Sequence, residues 1–314
     1  MTATPRPFGF LGRRSAPRQG GSRRWGRRLF ALVVAIAATA NHSLLAQNRD
    51  FIWKVSRGQS VVYLVGSVHL LSKDYYPLSP ALDKAFKECD LLVEELHLGQ
   101  MAQVESQMTI LMKGMLPAGQ TLDKVVSPAT FRLVSERVKS LGLPIEPLTR
   151  FKPWALALTL LGLEWQAAGF DADLGLDKHF YDQAVAAGKE VQGLETIEFQ
   201  ISRFDDMSME EQDRMLASTL AELETEKASV TTLANAWKAG DAPTVERIVL
   251  QDLRKEPGMY QRLLVDRNKD WLPKIEALFS RKGRSFVVVG AAHLVGPDGL
   301  LAMLKAKGYA IEQL

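Results

Sequence analysis

Two stretches of the chain share one pattern of apolar and polar positions. In each, a β-branched apolar run leads into a glycine and then, three positions later, a histidine. The two copies are residues 61–65 with Gly66 and His69, and residues 286–289 with Gly290 and His293. Such runs predict buried strands, and open α/β sheets bind ligands beyond the carboxyl ends of their strands. The repetition therefore predicts two imidazoles converging on one site.

Each copy continues in the same order, with a helix and a second strand. The spacing predicts a helix over 81–87 and a strand over 90–96 after the first histidine, and a helix over 299–307 and a strand over 309–312 after the second. A right-handed crossover between parallel strands leaves both loops on one edge of a sheet. The predicted fold class is α/β, a mixed sheet core with duplicated strand–GxxH–helix–strand units.

The stretch between these units, about 101–280, has mostly helical spacing of its apolar positions. Within it, residues 189–195 predict a short third strand that ends in the carboxylate of Glu195. No linker rich in proline, serine or glycine divides the chain after the first 46 residues. We therefore expect a single domain over 47–314, with large helical insertions.

The chain begins with a segment of a different kind. Its first 28 residues contain eight arginines and no acidic residue, and the apolar residues 29–40 that follow are too few to span a bilayer. This pattern predicts a cleavable export signal over 1–46 and a periplasmic or secreted protein that meets the membrane only through the signal. An uncleaved anchor helix is the alternative, and Arg27-Arg28 resembles a twin-arginine signal.

Removing the signal changes the charge of the protein. Eight of the 39 basic residues and none of the 36 acidic ones precede Gln47, so cleavage changes the net charge from +3 to −5. Outside the signal no basic patch is interleaved with aromatic residues, and we expect no nucleic-acid partner. The single cysteine, Cys89, cannot form an internal disulfide and is expected in the core.

Four predicted strand ends carry chemically useful side chains: His69, Glu95, Glu195 and His293. Two histidines and a carboxylate form a common open site for zinc, manganese, cobalt or non-haem iron. Such an ion lowers the pKa of bound water from about 15.7 toward about 7. A second carboxylate would serve as a proton shuttle or complete the coordination shell. For either histidine alone, the alternative to a role in a site is a hydrogen bond that stabilises its own loop. Because the two histidines occur in matching sequence contexts, a shared site is favoured.

Several other residues have two interpretations each. Glu94 and Glu95 point to opposite faces of their strand, so at most one of them faces the site. Asp177 suits the first turn of a helix but could also support a ligand. Arg267, followed by Asn268 within a helix, could form a surface ion pair or stabilise an oxyanion in the site.

The order of these motifs resembles the TraB/GumN family. That family is related to the Tiki metalloproteases of animals and, more distantly, to erythromycin esterases and ChaN-like haem-binding proteins. The resemblance covers the chain from about residue 51 to residue 314. The motifs that carry it are YLVGSVH at 63–69, DLLVEE at 90–95, GLET at 193–196, DRN at 266–268, and VGAAH at 289–293 followed by GPDGL at 296–300.

The resemblance implies metal-dependent peptide hydrolysis with His69, Glu95 and His293 as the essential residues, which we expect to bind a divalent ion such as Mn²⁺, Co²⁺ or Zn²⁺. It favours Glu95 over Glu94. One departure is His97, since relatives are expected to carry an acidic residue there.

Further positions match the family in less defined roles. We expect Glu195 to act as a second carboxylate and Arg267 to stabilise developing negative charge. Asn268 and Asp177 are candidates for supporting contacts, as are the two glycines of the repeated motif.

The expected function is an exported, metal-dependent hydrolase, most simply a peptidase acting on a peptide or protein. Two alternatives stay open. In one, His69 acts as a general base on water without a metal, oriented by Glu95. In the other, the histidines hold haem or a metal in a protein without catalytic activity. The substrate, the metal and the oligomeric state do not follow from the sequence.

Overall fold

A six-stranded mixed sheet forms the centre of the computed structural model, which describes residues 49–225, 229–251 and 253–314. The predicted α/β class with a mixed sheet is confirmed, whereas the predicted export signal lies outside the described residues. The strands are β1 (Ile52–Arg57), β2 (Ser60–Ser67), β3 (Leu91–Glu94), β4 (Glu190–Gly193), β5 (Ser285–Gly290) and β6 (Ala310–Gln313).

The strand order is β4-β3-β5-β2-β1-β6. Strands β4, β3, β5 and β2 are mutually parallel, and β1 runs antiparallel to both β2 and β6. Ser67 pairs with Gly290, and Glu94 pairs with both Val288 and Gly193. The carboxyl ends of the four parallel strands therefore meet at one edge of the sheet.

Both predicted units are present, but their two strands are not neighbours. Strand β5 lies between β2 and β3, and β6 is separated from β5 by β2 and β1. All six residues of β5 are buried, as expected for a parallel strand covered on both faces. Inserting β5 between the strands of the first unit places the two GxxH loops side by side.

Strand β1 is an addition that the sequence analysis did not predict. It forms a hairpin with β2 in which Arg57 pairs with Ser60. The turn includes Gly58 with a φ of 61°, a conformation that glycine adopts without a steric penalty. The hairpin extends the sheet beyond β2 and gives β6 its pairing partner.

Helices occupy most of the chain between and after the strands. The helix α1 begins one residue before its predicted start, with the Ser79 side chain accepting from the Leu82 N–H (3.3 Å) and Pro80 in the first turn. The helices are α1 (Pro80–Lys87), α2 (Leu98–Met101), α3 (Val104–Gly114), α4 (Leu122–Val125), α5 (Pro128–Ser140), α6 (Pro153–Ala167), α7 (Leu176–Ala186), α8 (Ile197–Asp205), α9 (Met209–Thr225), α10 (Ser229–Lys238), α11 (Ala242–Gln251), α12 (Pro257–Tyr260), α13 (Asp266–Leu278), α14 (Ala291–Leu294) and α15 (Leu300–Ala306).

Short stretches of other helical geometry connect some of these elements. A π-helical turn, Gln261–Val265, joins α12 to α13 without a break. The 3₁₀ turns are Lys73–Tyr75, Glu146–Arg150, Ala172–Leu174 and Leu253–Lys255. Across the described part of the chain, none of the helices combines the length and apolarity needed to cross a membrane.

The buried apolar side chains form two clusters. The sheet cluster surrounds the strands and includes Leu64, Phe286 and Trp271. The helical cluster lies within the insertion and includes Leu156 and Leu216. Cys89 is buried in the sheet cluster with its thiol donating to the Ala85 carbonyl (3.2 Å), which agrees with the expected core position.

Candidate active site

Three side chains converge at the edge of the sheet where the parallel strands end. A Cβ placed on Gly290 would lie 3.2 Å from Nε2 of His69, 3.2 Å from Oε1 of Glu95 and 3.7 Å from Cδ2 of His293. Nε2 of His69 and Oε1 of Glu95 therefore lie within 6.4 Å of each other, twice the first distance. The structure thus brings together the two histidines of the repeated motif and the carboxylate that the resemblance favours.

His69 follows β2 and is oriented by Asp177 from the first turn of α7. Its Nδ1 lies 2.9 Å from Oδ2 of Asp177, which also accepts from the Ser67 hydroxyl. With Nδ1 donating to this carboxylate, Nε2 points toward Gly290. The Asp177 carboxylate raises the pKa of His69 to about 9. The His69 side chain is 57% exposed, so solvent screens part of this attraction and the ring is open to incoming molecules.

His293 lies in α14 and is buried. Its Nδ1 lies 2.7 Å from Oδ1 of Asn268. The amide nitrogen of Asn268 donates to the carbonyls of His293 (3.3 Å) and Asp298 (2.8 Å), which fixes the amide orientation. Nδ1 of His293 must therefore donate, and Nε2 carries the lone pair. Burial lowers the pKa of His293 to about 3, so the ring is neutral.

Glu95 lies just beyond β3 and is also buried. Its Oε1 accepts from the N–H of Gly290 (2.7 Å) and lies 3.9 Å from Nε2 of His293. Its Oε2 accepts from Nη2 of Arg267 at 2.5 Å. Burial alone would raise the pKa of Glu95, but the guanidinium, the two imidazoles and the N–H of Gly290 outweigh it. The pKa therefore lies below its ordinary value, and the side chain is a carboxylate.

Arg267 connects the two halves of this cluster. Its Nε and Nη2 donate to Glu195 (2.8–3.2 Å), Nη2 also donates to Glu95, and Nη1 donates to Nε2 of His293 (3.0 Å). Its guanidinium lies 4.5 Å from the ring centre of Trp271, one turn further along α13. Burial opposes the charged form, but the two carboxylates outweigh this effect and raise the pKa of Arg267.

Glu195 follows β4 and faces Arg267. Its Oε2 accepts from Nε1 of Trp271 (2.8 Å), and its Oε1 accepts from the Gln200 amide (3.0 Å). Burial raises the pKa of Glu195 above its ordinary value, and the nearby charge of Glu95 adds to this, against the opposing effect of Arg267. Glu195 is therefore the more readily protonated of the two carboxylates that share the guanidinium.

Two members of the cluster were missed by the sequence analysis. Gln200 donates to both Glu195 and Glu95, the latter at 3.4 Å. Trp271 contacts Glu195, Arg267 and the His293 ring, whose centre is 4.4 Å away. Trp271 lies four residues after Arg267 on one helix, and this spacing was a signal that the two side chains are neighbours. The sequence contains no comparable signal for Gln200.

Two neighbouring candidates lie outside the cluster. The Nδ1 atom of His97 accepts from the N–H of Gly99 (3.1 Å) at the start of α2, and the ring packs against Tyr181. Glu94 is buried, and neither of its carboxylate oxygens has a hydrogen-bond partner among the described residues. Burial raises the pKa of Glu94 to about 9.

The two glycines of the repeated motif differ in what surrounds them. At Gly66 the ring of Phe51 fills the space of a side chain, and the carbonyl accepts from Nε1 of Trp237 (2.6 Å). Gly66 thus permits close packing below the site. At Gly290 the neighbours are the polar atoms of the site itself, so this glycine leaves room for the converging side chains.

As they lie, no three His, Cys, Asp or Glu side chains in the described ranges form a group that could hold a metal ion. The position of Arg267 gives a physical reason, because its N–H groups already occupy Nε2 of His293 and Oε2 of Glu95. The arrangement is a closed hydrogen-bonded network around one guanidinium, with His69 at its open side.

The model of the TraB/PrgY/gumN family matches residues 51–313. A protein of Escherichia coli (strain K12) named "Uncharacterized protein YbaP" is 28% identical over 251 residues, which are 79% of this chain and 89% of that protein. An "Uncharacterized protein" of Treponema pallidum (strain Nichols) is 20% identical over 281 residues, 84% of this chain and 83% of its own length. No solved structure matches the chain.

Proposed function

The chain belongs to the TraB/PrgY/gumN family, and from that premise we propose that it is an exported, metal-dependent hydrolase that cleaves peptides with an activated water. The observation that carries the proposal is the convergence of Nε2 of His69, Oε1 of Glu95 and the His293 ring on the space beside Gly290. A peptidase is the most specific function that this donor set and the related metalloproteases support.

Two features of the donor set support binding of a divalent ion. Metal-binding histidines commonly donate their second ring nitrogen to a carboxylate or carbonyl, which fixes the tautomer, and His69 does so to Asp177 and His293 to Asn268. Two ligand atoms about 2.1 Å from an ion are at most about 4.2 Å apart. Nε2 of His293 and Oε1 of Glu95, 3.9 Å apart, meet this limit.

In this proposal His69, Glu95 and His293 would hold the ion, and Mn²⁺, Co²⁺ and Zn²⁺ are the candidates. Such an ion would supply Lewis acidity, which activates water at neutral pH and polarises a substrate carbonyl. Asp177 and Asn268 keep the two Nε2 atoms directed inward. Release of the Arg267 hydrogen bond from His293 frees Nη1 to stabilise negative charge on the substrate. Glu195, with its raised pKa, accepts and returns a proton.

The test uses the chain after removal of the proposed signal, residues 47–314. Metal content and Mn²⁺, Co²⁺ and Zn²⁺ binding are measured, followed by hydrolysis of a peptide panel before chelation, after chelation and after return of the ion. His69→Ala and His293→Ala should abolish ion binding while circular dichroism stays unchanged. His97→Asn is the matched control, since asparagine can still cap α2. A protein that binds no divalent ion would refute the proposal.

One observation favours a second candidate, hydrolysis of esters without a metal. The Asp177–His69 pair resembles a general base held by a carboxylate, with Nε2 accessible at the open side of the cluster. Because the pKa of His69 is raised to about 9, this activity should increase as the pH rises toward that value. The orienting group is Asp177, rather than the Glu95 that the sequence analysis named for this role. Ester hydrolysis that survives complete chelation and is lost in Asp177→Asn would support it. Bound metal or haem without turnover of peptides or esters would instead indicate a binding protein.

A further inference from the structure

A large apolar cavity lies between the helices of the insertion. Its volume is about 550 Å³, and its walls come from α6, α9, α10 and α11, with Leu253, Met259 and Leu263 closing one side. Protein interiors are normally packed without voids much larger than a water molecule. Binding sites for small ligands typically enclose about 300–1,000 Å³ of mostly apolar space. The cavity therefore has the dimensions of a ligand site.

The cavity lies where the two hydrophobic clusters meet. Trp165, Leu233 and Val249 on its wall pack against the sheet cluster, whereas Met215 belongs to the helical cluster and Leu263 packs against it. Neither cluster fills the space between them. Ligand sites are common at such junctions because two separately packed bodies leave a cleft that a ligand can complete.

The charge of the wall restricts what can bind. Among the described residues that line the cavity there are two carboxylates, Glu164 and Glu222, and no basic side chain. Glu164 is paired with Nε of Arg137 (2.7 Å), and Glu222 accepts from the Ser218 hydroxyl (3.3 Å). Apart from these two carboxylates, Ser218 and Thr219, every described residue of the wall is apolar, which favours a mostly apolar ligand.

The cavity is joined to the arginine of the proposed active site through one helical turn. Leu263 lies in the π-helical turn that leads into α13, and its carbonyl accepts from Nη1 of Arg267 at 3.4 Å. That nitrogen also contacts His293. Turns of this kind occur frequently at functional sites. A ligand that pressed on Leu263 would thus act on the residue that holds the buried carboxylates.

We propose that this cavity, which lies one helical turn from Arg267, binds an apolar side chain of the peptide substrate. The inference rests on the proposed peptidase function and adds a specificity site to it. The Ser218 hydroxyl, which donates to Glu222, can still accept a hydrogen bond from a peptide N–H, a donor that an acyl chain lacks. The substrate class is a peptide with large, uncharged apolar residues.

The experiment compares peptides that differ only in leucine or serine at each position flanking the cleaved bond. For the metal-loaded protein, kcat/KM should favour leucine at one position by about tenfold or more, as expected for an apolar pocket. Thr219→Phe, which fills the cavity, should remove this preference by raising KM for the leucine peptides. Thr219→Val is the matched control and should keep the preference. Ile248→Phe, from another wall, gives a second filling variant if the first does not fold.

A binding measurement separates this inference from the proposed function. The neutral fluorophore N-phenyl-1-naphthylamine should bind the unsubstituted protein, be displaced by the leucine peptide and not bind Thr219→Phe. If no peptide is hydrolysed but this pattern holds, the peptidase proposal fails and the cavity as an apolar peptide site stands. Peptide hydrolysis with no leucine preference, or with one that both filling variants retain, would refute the cavity proposal. Displacement by a neutral long-chain acyl ester and not by the peptide would also refute it.

Discussion

Nη1 of Arg267 donates to Nε2 of His293 across 3.0 Å, so a protein cation holds the lone pair that a metal ion would need. The same guanidinium donates to Glu95 and Glu195. The buried carboxylates are thus neutralised by the chain itself. Binding of an ion by His293 requires this hydrogen bond to be released, which couples ion binding to the position of the proposed oxyanion-stabilising group.

Replacing Arg267 tests this coupling through stability. Arg267→Gln removes the positive charge beside two buried carboxylates, and breaking a buried pair in this way typically costs about 3–5 kcal/mol. We expect a loss of that size in the free energy of unfolding by urea. The loss should be smaller with saturating Mn²⁺, since the bound ion replaces the missing charge.

Arg281→Gln is the control for this variant. Arg281 pairs with Glu190 at 2.7 Å near the surface, where both side chains are substantially exposed, and such pairs contribute about 0–1 kcal/mol. An equal loss of stability in the two variants would contradict a buried role for Arg267, and a loss that Mn²⁺ does not reduce would contradict the coupling.

The pH dependence of His69 provides a second prediction. Asp177 raises the pKa of His69 to about 9 in the metal-free protein, so Asp177→Asn should return it toward the ordinary value of about 6.5. Because the folded pKa is raised, the stabilisation is complete below pH about 6.5 and is lost as the pH rises through about 9. Imidazole NMR titration measures the shift directly.

The stability difference between the unsubstituted protein and Asp177→Asn should shrink over the same interval. Asp182→Asn, which removes an exposed partner of Lys178 on the same helix, should leave the titration of His69 unchanged. A His69 pKa near 6.5 in the unsubstituted protein would show that Asp177 does not act on it as described.

Glu94 provides a third prediction, in which the raised pKa destabilises the folded protein instead of stabilising it. Burial, with the nearby negative charge of Asp177 adding to it, raises the pKa of Glu94 to about 9, so the folded protein keeps the acid neutral at pH 7. The unfolded chain releases this proton above pH about 4.5, so the group destabilises the fold increasingly between pH about 4.5 and 9. Glu94→Gln should match the unsubstituted protein at pH 4 and be more stable by about 1 kcal/mol or more at pH 8. Parallel stability curves at the two pH values would contradict the burial argument.

Much of the site followed from local patterns. The runs before Gly66 and Gly290 are apolar at every position, which predicts central strands, and a histidine three residues after each glycine must lie at the sheet edge. Glu95 follows from the same rule for β3, although the strand itself ends at Glu94. The meeting of these side chains was predictable because the carboxyl ends of parallel strands lie at the same edge of a sheet.

Contacts set by the tertiary packing of helices could not be predicted in the same way. Gln200 joins the cluster only because α8 packs beside the ends of β3 and β4, and its spacing from Glu195 is typical of any helix surface. Arg267 and Glu95 are 172 positions apart in the chain, so no local sequence pattern predicts that their opposite charges meet. Strand β1 was missed although Lys54 and Ser56 alternate with apolar residues, a pattern typical of a half-buried strand.

Gly290 allows ion binding to be tested without removing a ligand. A methyl group at this position would lie 3.2 Å from both Nε2 of His69 and Oε1 of Glu95, closer than ordinary van der Waals contact. Gly290→Ala should therefore push the imidazole and the carboxylate apart and lower the affinity for Mn²⁺ by tenfold or more, about 1.4 kcal/mol. Isothermal titration calorimetry on the protein and the variant measures this change.

Gly162 supplies the control, because it lies within α6 and a methyl group there would have no neighbour within 4 Å. Gly162→Ala should leave Mn²⁺ affinity unchanged and stabilise the protein by about 0.5–1 kcal/mol, since alanine favours helix interiors over glycine. If Gly290→Ala unfolds at the same urea concentration as the unsubstituted protein, its loss of Mn²⁺ affinity cannot result from a weakened fold. Unchanged Mn²⁺ affinity in Gly290→Ala would mean that the ion is not held between His69 and Glu95, and the ligand set would have to be sought elsewhere.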